Sequence, residues 1–373
     1  MDQTDGWEGW RTFRVQRKTF EDSSRSVCSL YLVPTDGQTL PSFAPGQFLT
    51  FSFRITDPVT QQPKAVTRCY SLSDQPGLDY YRISVKRVPA PAGSVGIPPG
   101  LASHHIHDTI QEGDILQVKA PSGQFCLEKG AFPVVFVAGG IGITPLLSML
   151  NTHLAQGPTR EIWLFYGVRN STEQVSLAHL KALARQYPHF HLQVCYSKPL
   201  PGDIQDSDCQ QAGHVDIALL RRTLSLPLYQ FYVCGPRNMM ESIIPALDAE
   251  GIPEAWIHFE SFGPASLVRP GRSSTTRPEQ AASSAAGRGM ITVTFVRSGK
   301  TLPWDEKADS LLEFAEQNGI EVASGCRSGG CGTCETIIQQ GEVAYTYSPD
   351  FSPQPGSGLL CVAKPKRELS LMA

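Results

Sequence analysis

Cys326, Cys331 and Cys334 lie within the stretch SGCRSGGCGTCE at a spacing of C-x4-C-x2-C, and Cys361 follows at a distance. Four thiolates so arranged can hold a 2Fe-2S cluster. Gly325, Gly329, Gly330 and Gly332 fit that chemistry, because a loop wrapping a cluster must turn tightly and bring backbone N–H groups close to sulfur. A zinc ion or a disulfide framework would also use cysteine. Zinc favours two closely spaced pairs, however, and here only Cys331 and Cys334 form one.

A second set of residues offers chemistry for a flavin. Such a group needs a cation for its phosphate, an aromatic side chain beside its ring and free backbone N–H groups at a turn or helix start. Arg68 and Tyr70, with Ser71, lie in RCYS; Ser84, Val85 and Lys86 lie in YRISVK; Gly100, Leu101, Ala102 and Ser103 follow as a turn entering a helix. His104, His105 and His107 beside that turn have no second ligand set and read as a polar helix start rather than a metal site.

A third set suits a dinucleotide. The apolar run PVVFVA ends in GGIGITP, which contains Gly139, Gly140, Gly142 and Thr144, and a helical segment follows. A buried strand, a glycine turn and a helix N-terminus together receive a pyrophosphate. The string is not the GxGxxG fingerprint. Further on, Cys234, Gly235 and Pro236 close another apolar run, at the strand end where ligands approach an open α/β sheet. A buried core cysteine is the competing reading for Cys234.

The elements that must position these residues follow from the patterning. From Thr12 to about Leu127, short β-branched or alternating runs separated by Gly, Pro and Asp predict antiparallel strands closing into a barrel. From Pro133, strands at EIWLFYGV, HFHLQVCYS and YQFYVCGP alternate with helices near 176–186 and 238–250, which predicts a parallel α/β sheet. Residues 265–288 are rich in Ser, Ala, Pro, Gly and Arg without apolar periodicity and read as a flexible linker. A strand at ITVTFV, then a helix at SLLEFAE with Ser310 as its cap, precede the cysteine loop.

The chain has 373 residues, enough for two or three domains, and is 41% hydrophobic and 18% charged. A net charge of -3 gives no basic excess for nucleic acid. The start, MDQTDGWEGWRTF, has neither the basic nor the apolar region of a signal peptide, and no apolar run is long enough to span a membrane. Cys28, Cys69, Cys126, Cys195, Cys209 and Cys234 show no pairing pattern. The expectation is therefore a cytoplasmic protein with reduced thiols.

RCYS, the RISVKR strand, the GLAS turn and PSGQF, in that order, resemble the flavin domain of the ferredoxin reductase superfamily, especially the reductase portion of flavohaemoglobins. That resemblance implies that Arg68 contacts flavin phosphate, Tyr70 packs on the isoalloxazine and Ser71 hydrogen-bonds near its N5. It also implies that the amides of Gly100 to Ser103 hold phosphate, that Cys234 borders nicotinamide and flavin, and that Glu260 and Phe262 in HFESFGP lie by the flavin. Tyr70, Ser71, Cys234 and Glu260 are the candidate catalytic residues. The last 85 or so residues resemble a plant-type ferredoxin, with a β-grasp fold. The order of modules is similar to that of the phthalate dioxygenase reductase type, which serves Rieske oxygenases. It implies a flavin barrel over 1–129, an NAD(P)-binding α/β domain over 130–264, the linker over 265–288 and the ferredoxin domain over 289–373. The implied cofactors are FAD, with FMN as the alternative, NADH, with NADPH as the alternative since Arg169, Ser197 and Lys198 lie near the expected adenosine, and a 2Fe-2S cluster. The implied partner is a separate oxygenase component. Another acceptor, such as a hydroxylase, a hybrid-cluster protein or a free ferredoxin, remains open, as does a redox-sensing or docking role.

Overall fold

The structure is a computed structural model that describes residues 6–56, 61–90, 99–157, 160–203, 211–262, 291–327, 329–345, 349 and 351–373. The linker expected at 265–288 and Cys209 lie outside the described residues. The chain divides into two compact units, 1–262 and 263–373.

The first unit opens with β1 (Arg11–Phe20), β2 (Val27–Pro34), β3 (Phe48–Thr56), β4 (Pro63–Ser71) and β5 (Tyr81–Lys86), followed by α1 (Leu101–Asp108) and β6 (Ile115–Ser122). The strands form one antiparallel sheet in the order β4-β3-β6-β1-β2-β5. A single antiparallel bridge between Leu72, just past β4, and Ile83 of β5 brings the two edges of the sheet together in a barrel-like closure. Alternation along the strands sends Phe13, Val15, Leu30, Leu32, Phe51, Ile83 and Val118 inward, and Ala102 and Ile106 of α1 join the same core. Lys18 fastens the end of α1, its Nζ donating to the carbonyls of Ile106, His107 and Ile110 at 2.9, 2.8 and 2.7 Å. A cation at the negative end of a helix dipole is favourable.

The same unit continues with β7 (Val134–Gly139), α2 (Ile143–Ala155), β8 (Ile162–Val168), α3 (Leu177–Gln186), β9 (Phe190–Tyr196), β10 (Gln211–Ala212), α4 (Ile217–Thr223), β11 (Gln230–Gly235), α5 (Arg237–Ala249) and β12 (Ile257–Ser261). All of these strands run parallel, in the order β10-β9-β8-β7-β11-β12. Every residue of β7 and β11 is buried, which explains why both read as continuous apolar runs rather than alternating ones. From β7 the chain winds outward through β8 and β9, then returns to the other side of β7 as β11. The carboxyl ends of β7 and β11 therefore flank the switch point at which ligands bind such sheets. The short β10 and the helix α4 were not legible as separate elements in the sequence.

The second unit contains β13 (Thr292–Phe295), β14 (Lys300–Pro303), α6 (Leu311–Gln317), β15 (Glu335–Gln340), β16 (Val343–Tyr345), β17 (Ser357–Leu359), β18 (Ala363–Pro365) and β19 (Leu369–Leu371). A mixed sheet runs in the order β14-β13-β19-β15-β17, with β13 and β19 parallel at its centre, and β16 pairs with β18 separately. Leu311, Leu312, Phe314 and Ala315 of α6 pack on this sheet with Val293, Phe295 and Leu360. Ser310 caps the helix as expected, accepting from the Glu313 N–H at 3.2 Å, while the Glu313 carboxylate accepts from the Asp309 N–H.

Candidate active site

The end of β4 supplies Arg68, Tyr70 and Ser71. Tyr70 stands beside Phe51, ring centroids 5.8 Å apart, and burial pushes its hydroxyl well above the ordinary tyrosine range. Arg68 is half-buried and donates from Nη1 to its neighbour's carbonyl, Thr67 O, at 2.7 Å. Ser71 is buried, and its Oγ faces Glu260 Oε2 at 3.5 Å. That distance is the outer limit of a hydrogen bond, so the contact is weak, yet it sets a barrel residue beside the last strand of the α/β sheet.

Glu260 in β12 is in register with Cys234 in β11, and Cys234 is in turn in register with Ala138 of β7. The Cys234 thiol is fully buried, and burial, reinforced by the nearby Glu260 carboxylate, raises its pKa well above the usual thiol value. It remains a neutral thiol at physiological pH. Ser71, Cys234 and Glu260, from three strands and both halves of the unit, thus meet at the switch point. Phe262, directly after β12, is 42% exposed.

The dinucleotide turn depends on missing side chains. A Cβ on Gly142 would lie 2.2 Å from the Cys234 carbonyl oxygen, one on Gly139 would meet Pro236 Cδ at 2.5 Å, and one on Gly235 would meet Gly139 Cα at 2.9 Å. The turn after β7 therefore rests directly on the backbone of β11. Gly140 differs: its φ is +51°, and the space where a Cβ would point is open. Thr144 is buried and donates to the Ile141 carbonyl at 3.0 Å, bracing the turn.

Helix starts complete the cradle. α1, α2 and α5 begin at Gly100, Gly142 and Pro236 with no cap from those residues' side chains, but the Ile143 N–H that opens α2 donates to the Gly140 and Ile141 carbonyls and the Met239 N–H of α5 to Asn238 Oδ1. Among the others, Asp216 and Ser310 cap α4 and α6, and α3 starts uncapped at left-handed Ser176. A Cβ on Gly100 would strike Val88 Cβ at 2.8 Å, and Ser103 Oγ donates to the Gly100 carbonyl at 2.8 Å while accepting from the Val88 N–H. Leu101 and Ala102 follow within the same first turn. The residues present thus fit a phosphate group at α1, and the open side of Gly140 leaves room for one beside the turn before α2.

Other expected residues have different surroundings. Ser84 points into the barrel, its Oγ 2.7 Å from Ser29 Oγ and 2.9 Å from Ser73 Oγ in a buried hydroxyl chain. The Val85 side chain is also internal, and its carbonyl meets His107 Nε2 at 2.9 Å. Lys86 Nζ pairs with Glu173 Oε2 at 2.8 Å, and Glu173 Oε1 also takes Arg169 Nη1 at 3.3 Å. His104 Nδ1 meets the Gly100 carbonyl at 3.1 Å and His105 lies edge-on to Phe53, so the three histidines serve the helix and its packing. Near the expected adenosine, the amides of Ser197 and Lys198 donate to the carbonyls of Val168 and Arg169.

In the second unit the four cysteines are linked two by two through hydrogen bonds, one from a backbone amide to a sulfur and one between sulfurs. The Cys326 N–H donates to Cys331 Sγ at 3.2 Å, and the Sγ atoms of Cys334 and Cys361 share a hydrogen bond at 3.1 Å. That bond lowers the Cys334 pKa and raises that of Cys361. The Gly330 N–H donates to Cys326 Sγ at 3.2 Å, and a Cβ on Gly325 would lie 2.8 Å from Cys331 Sγ, as expected of amides and glycines that crowd the sulfurs. Gly329 and Gly332 have φ of +72° and +69°, and Arg327, at +59°, is held by a bidentate pairing with Glu316.

Comparison with known proteins matches two families along the chain. Residues 136–244 match the oxidoreductase NAD-binding domain family and residues 293–366 the 2Fe-2S iron-sulfur cluster binding domain family. The FAD/NAD-binding domain of a nitric oxide dioxygenase from Vibrio cholerae O1 is 31% identical, with a TM-score of 0.59, over 68% of this chain and 98% of that one. The chain belongs to the ferredoxin reductase superfamily. It is an oxidoreductase built from a reductase unit and a ferredoxin unit. Phthalate dioxygenase reductase, a modular protein for electron transfer from pyridine nucleotides to [2Fe-2S], superposes over 98% of both chains with 26% identity and a TM-score of 0.58. The flavohemoprotein of Halalkalibacterium halodurans is 40% identical over 264 residues, 70% of this chain; the matched region spans 62% of that relative's length.

Proposed function

We propose that this member of the superfamily takes a hydride from NADH onto FAD and passes electrons singly, through a 2Fe-2S cluster on Cys326, Cys331, Cys334 and Cys361, to a separate oxygenase component of the Rieske type. The observation that carries the reading is the meeting of Ser71, Cys234 and Glu260 at the switch point, in a chain that also bears the paired-cysteine loop. Flavin, when bound, supplies the conversion from two-electron to one-electron chemistry.

The chain's own residues do the rest. Arg68 and the first-turn amides of α1, Leu101 to Ser103, bind flavin phosphate, and Tyr70 packs against the ring. The turn at Gly139, Gly140 and Gly142, with Thr144, receives the pyrophosphate at the N-terminus of α2. Ser71 presents its hydroxyl at the reacting edge, oriented by Glu260. Cys234, Gly235 and Pro236 shape the nicotinamide side, where a neutral thiol adds no charge against the leaving hydride. Phe262 shields the flavin edge. The domain boundaries that accompany this reading are 129/130 between barrel and α/β domain and 289 for the start of the ferredoxin domain. No helix among the described residues is long and apolar enough to cross a membrane.

Anaerobic rapid mixing with NADH tests the reading. Flavin absorbance should bleach first and cluster absorbance second; a redox sensor would bleach without sustained turnover. Chromatography of the extracted flavin should yield FAD, and kcat/KM should be higher for NADH than for NADPH.

A further inference from the structure

Asp74, which no sequence motif singles out, lies three residues beyond Ser71 and gathers groups from both halves of the reductase unit. On the barrel side, the Tyr80 hydroxyl donates to its Oδ2 at 3.1 Å, Arg82 Nη1 stands 3.5 Å from the same oxygen, and the Gln75 N–H donates to Oδ1 at 2.9 Å. On the α/β side, Asn151 Nδ2 donates to Oδ1 at 3.0 Å, and the buried Ser148 hydroxyl donates to the Asp74 carbonyl at 2.7 Å. Ser148 and Asn151 are one turn apart on the same face of α2. The Asn151 amide is itself oriented, because its Oδ1 faces His179 Nε2 of α3 at 2.9 Å and its NH2 is thereby turned to Asp74.

Both ends of this connection lead rigidly to the reacting groups. Between Ser71 and Asp74, Ser73 is fully buried, donates its N–H to the Arg82 carbonyl at 2.8 Å and receives the Arg82 guanidinium on its Oγ and carbonyl. From Ser148 back to the turn at Gly139–Gly142 runs less than two turns of helix, roughly 8 Å. The direct link across the site, Ser71 to Glu260, is only a 3.5 Å contact, whereas both Asp74 links are 3.0 Å or shorter. Lys86–Glu173 also joins the halves, but through the turn before α3 and not through α2. Met149 meets Gly46 by apolar packing, which is non-directional.

We infer that Asp74 is a positioning residue for hydride transfer: through Ser148 and Asn151 it sets the distance between the flavin edge at Ser71 and the dinucleotide turn that opens α2. The inference rests on the reductase function proposed above. Misplacement of reacting atoms by about 1 Å can cost on the order of a hundredfold in rate, and loss of this connection permits a displacement of that kind.

The test compares the wild-type holoprotein with Asp74→Ala, Asp74→Asn and the double variant Ser148→Ala/Asn151→Ala, which leaves the barrel untouched. Flavin reduction by NADH in single-turnover stopped flow should slow about tenfold or more in Asp74→Ala and in the double variant. Asp74→Asn, which keeps an acceptor for Asn151, should recover most of the rate. Flavin content and the dissociation constant for NAD+ should be unchanged. In the apoprotein, hydrogen exchange of peptide 72–80 should accelerate in the double variant while β2 keeps its protection. Wild-type reduction rates in the double variant, or a loss of rate that only tracks a loss of bound flavin, would overturn the inference. If the wild-type flavin accepts no electrons from NADH or NADPH, the reductase reading itself fails.

Discussion

The glycine-rich turn at 139–142 and the glycine-rich loop at 325–332 look alike in sequence but set their glycines against different neighbours. In the first, Gly139 and Gly142 leave out a Cβ so that one backbone can rest against another, Gly142 approaching the carbonyl of Cys234. The clearance is long-range, and the neighbour is backbone that cannot yield. In the second, Gly329 and Gly332 supply left-handed φ so that a short segment can turn back on itself. There the close neighbours are side chains, Cys331 at Gly325, Pro349 at Gly329 and Phe351 at Gly332. A nucleotide site assembled from two strands should therefore be the less tolerant of small substitutions, and the cluster loop the more separable.

The largest test of that separability is Cys331→Ser. It should abolish cluster absorbance and cytochrome c reduction while flavin reduction by NADH proceeds at the wild-type rate. Simultaneous loss of flavin would show that the two sites are interdependent. Next comes Gly142→Ala, where overpacking against the Cys234 carbonyl should cost about 3 kcal/mol in thermal or denaturant unfolding of the reductase unit. Gly140→Ala, whose penalty is left-handed φ alone, should cost about 1 kcal/mol; equal losses would contradict the distinction between clearance and φ. Ser71→Ala should retain flavin and reduce its rate of reduction about tenfold, read by stopped flow. The smallest effect belongs to Ser310→Ala, where loss of the cap on α6 should lower the stability of the ferredoxin unit by about 1 kcal/mol and leave flavin reduction untouched.

Local signals made much of this legible. The cysteine spacing, the apolar strand entering a glycine turn, RCYS at a strand end and the Ser310 cap all report interactions among near neighbours or a burial pattern along one strand. Asp74, Asn151 and Glu173 were invisible for the complementary reason. Each looks like an ordinary surface residue, and its partner lies far along the chain, so only the packing of α2 and of the 171–173 turn against the barrel reveals it. Ser84 shows the same limit from the other side. Its strand was read correctly, but no periodicity could tell that its hydroxyl would be spent on Ser29 and Ser73 inside the barrel.

The parallel pairing of β13 with β19 bears on the order in which the protein is made. β19 lies between β13 and β15, so the ferredoxin sheet has a gap at its centre until residue 371 has left the ribosome. The reductase unit ends at Phe262, and at the usual pace of synthesis the remaining stretch takes roughly 5 to 20 s to emerge. Flavin and nucleotide sites can thus form on the nascent chain well before a sheet exists to support the cluster loop, and iron–sulfur assembly must wait for β19.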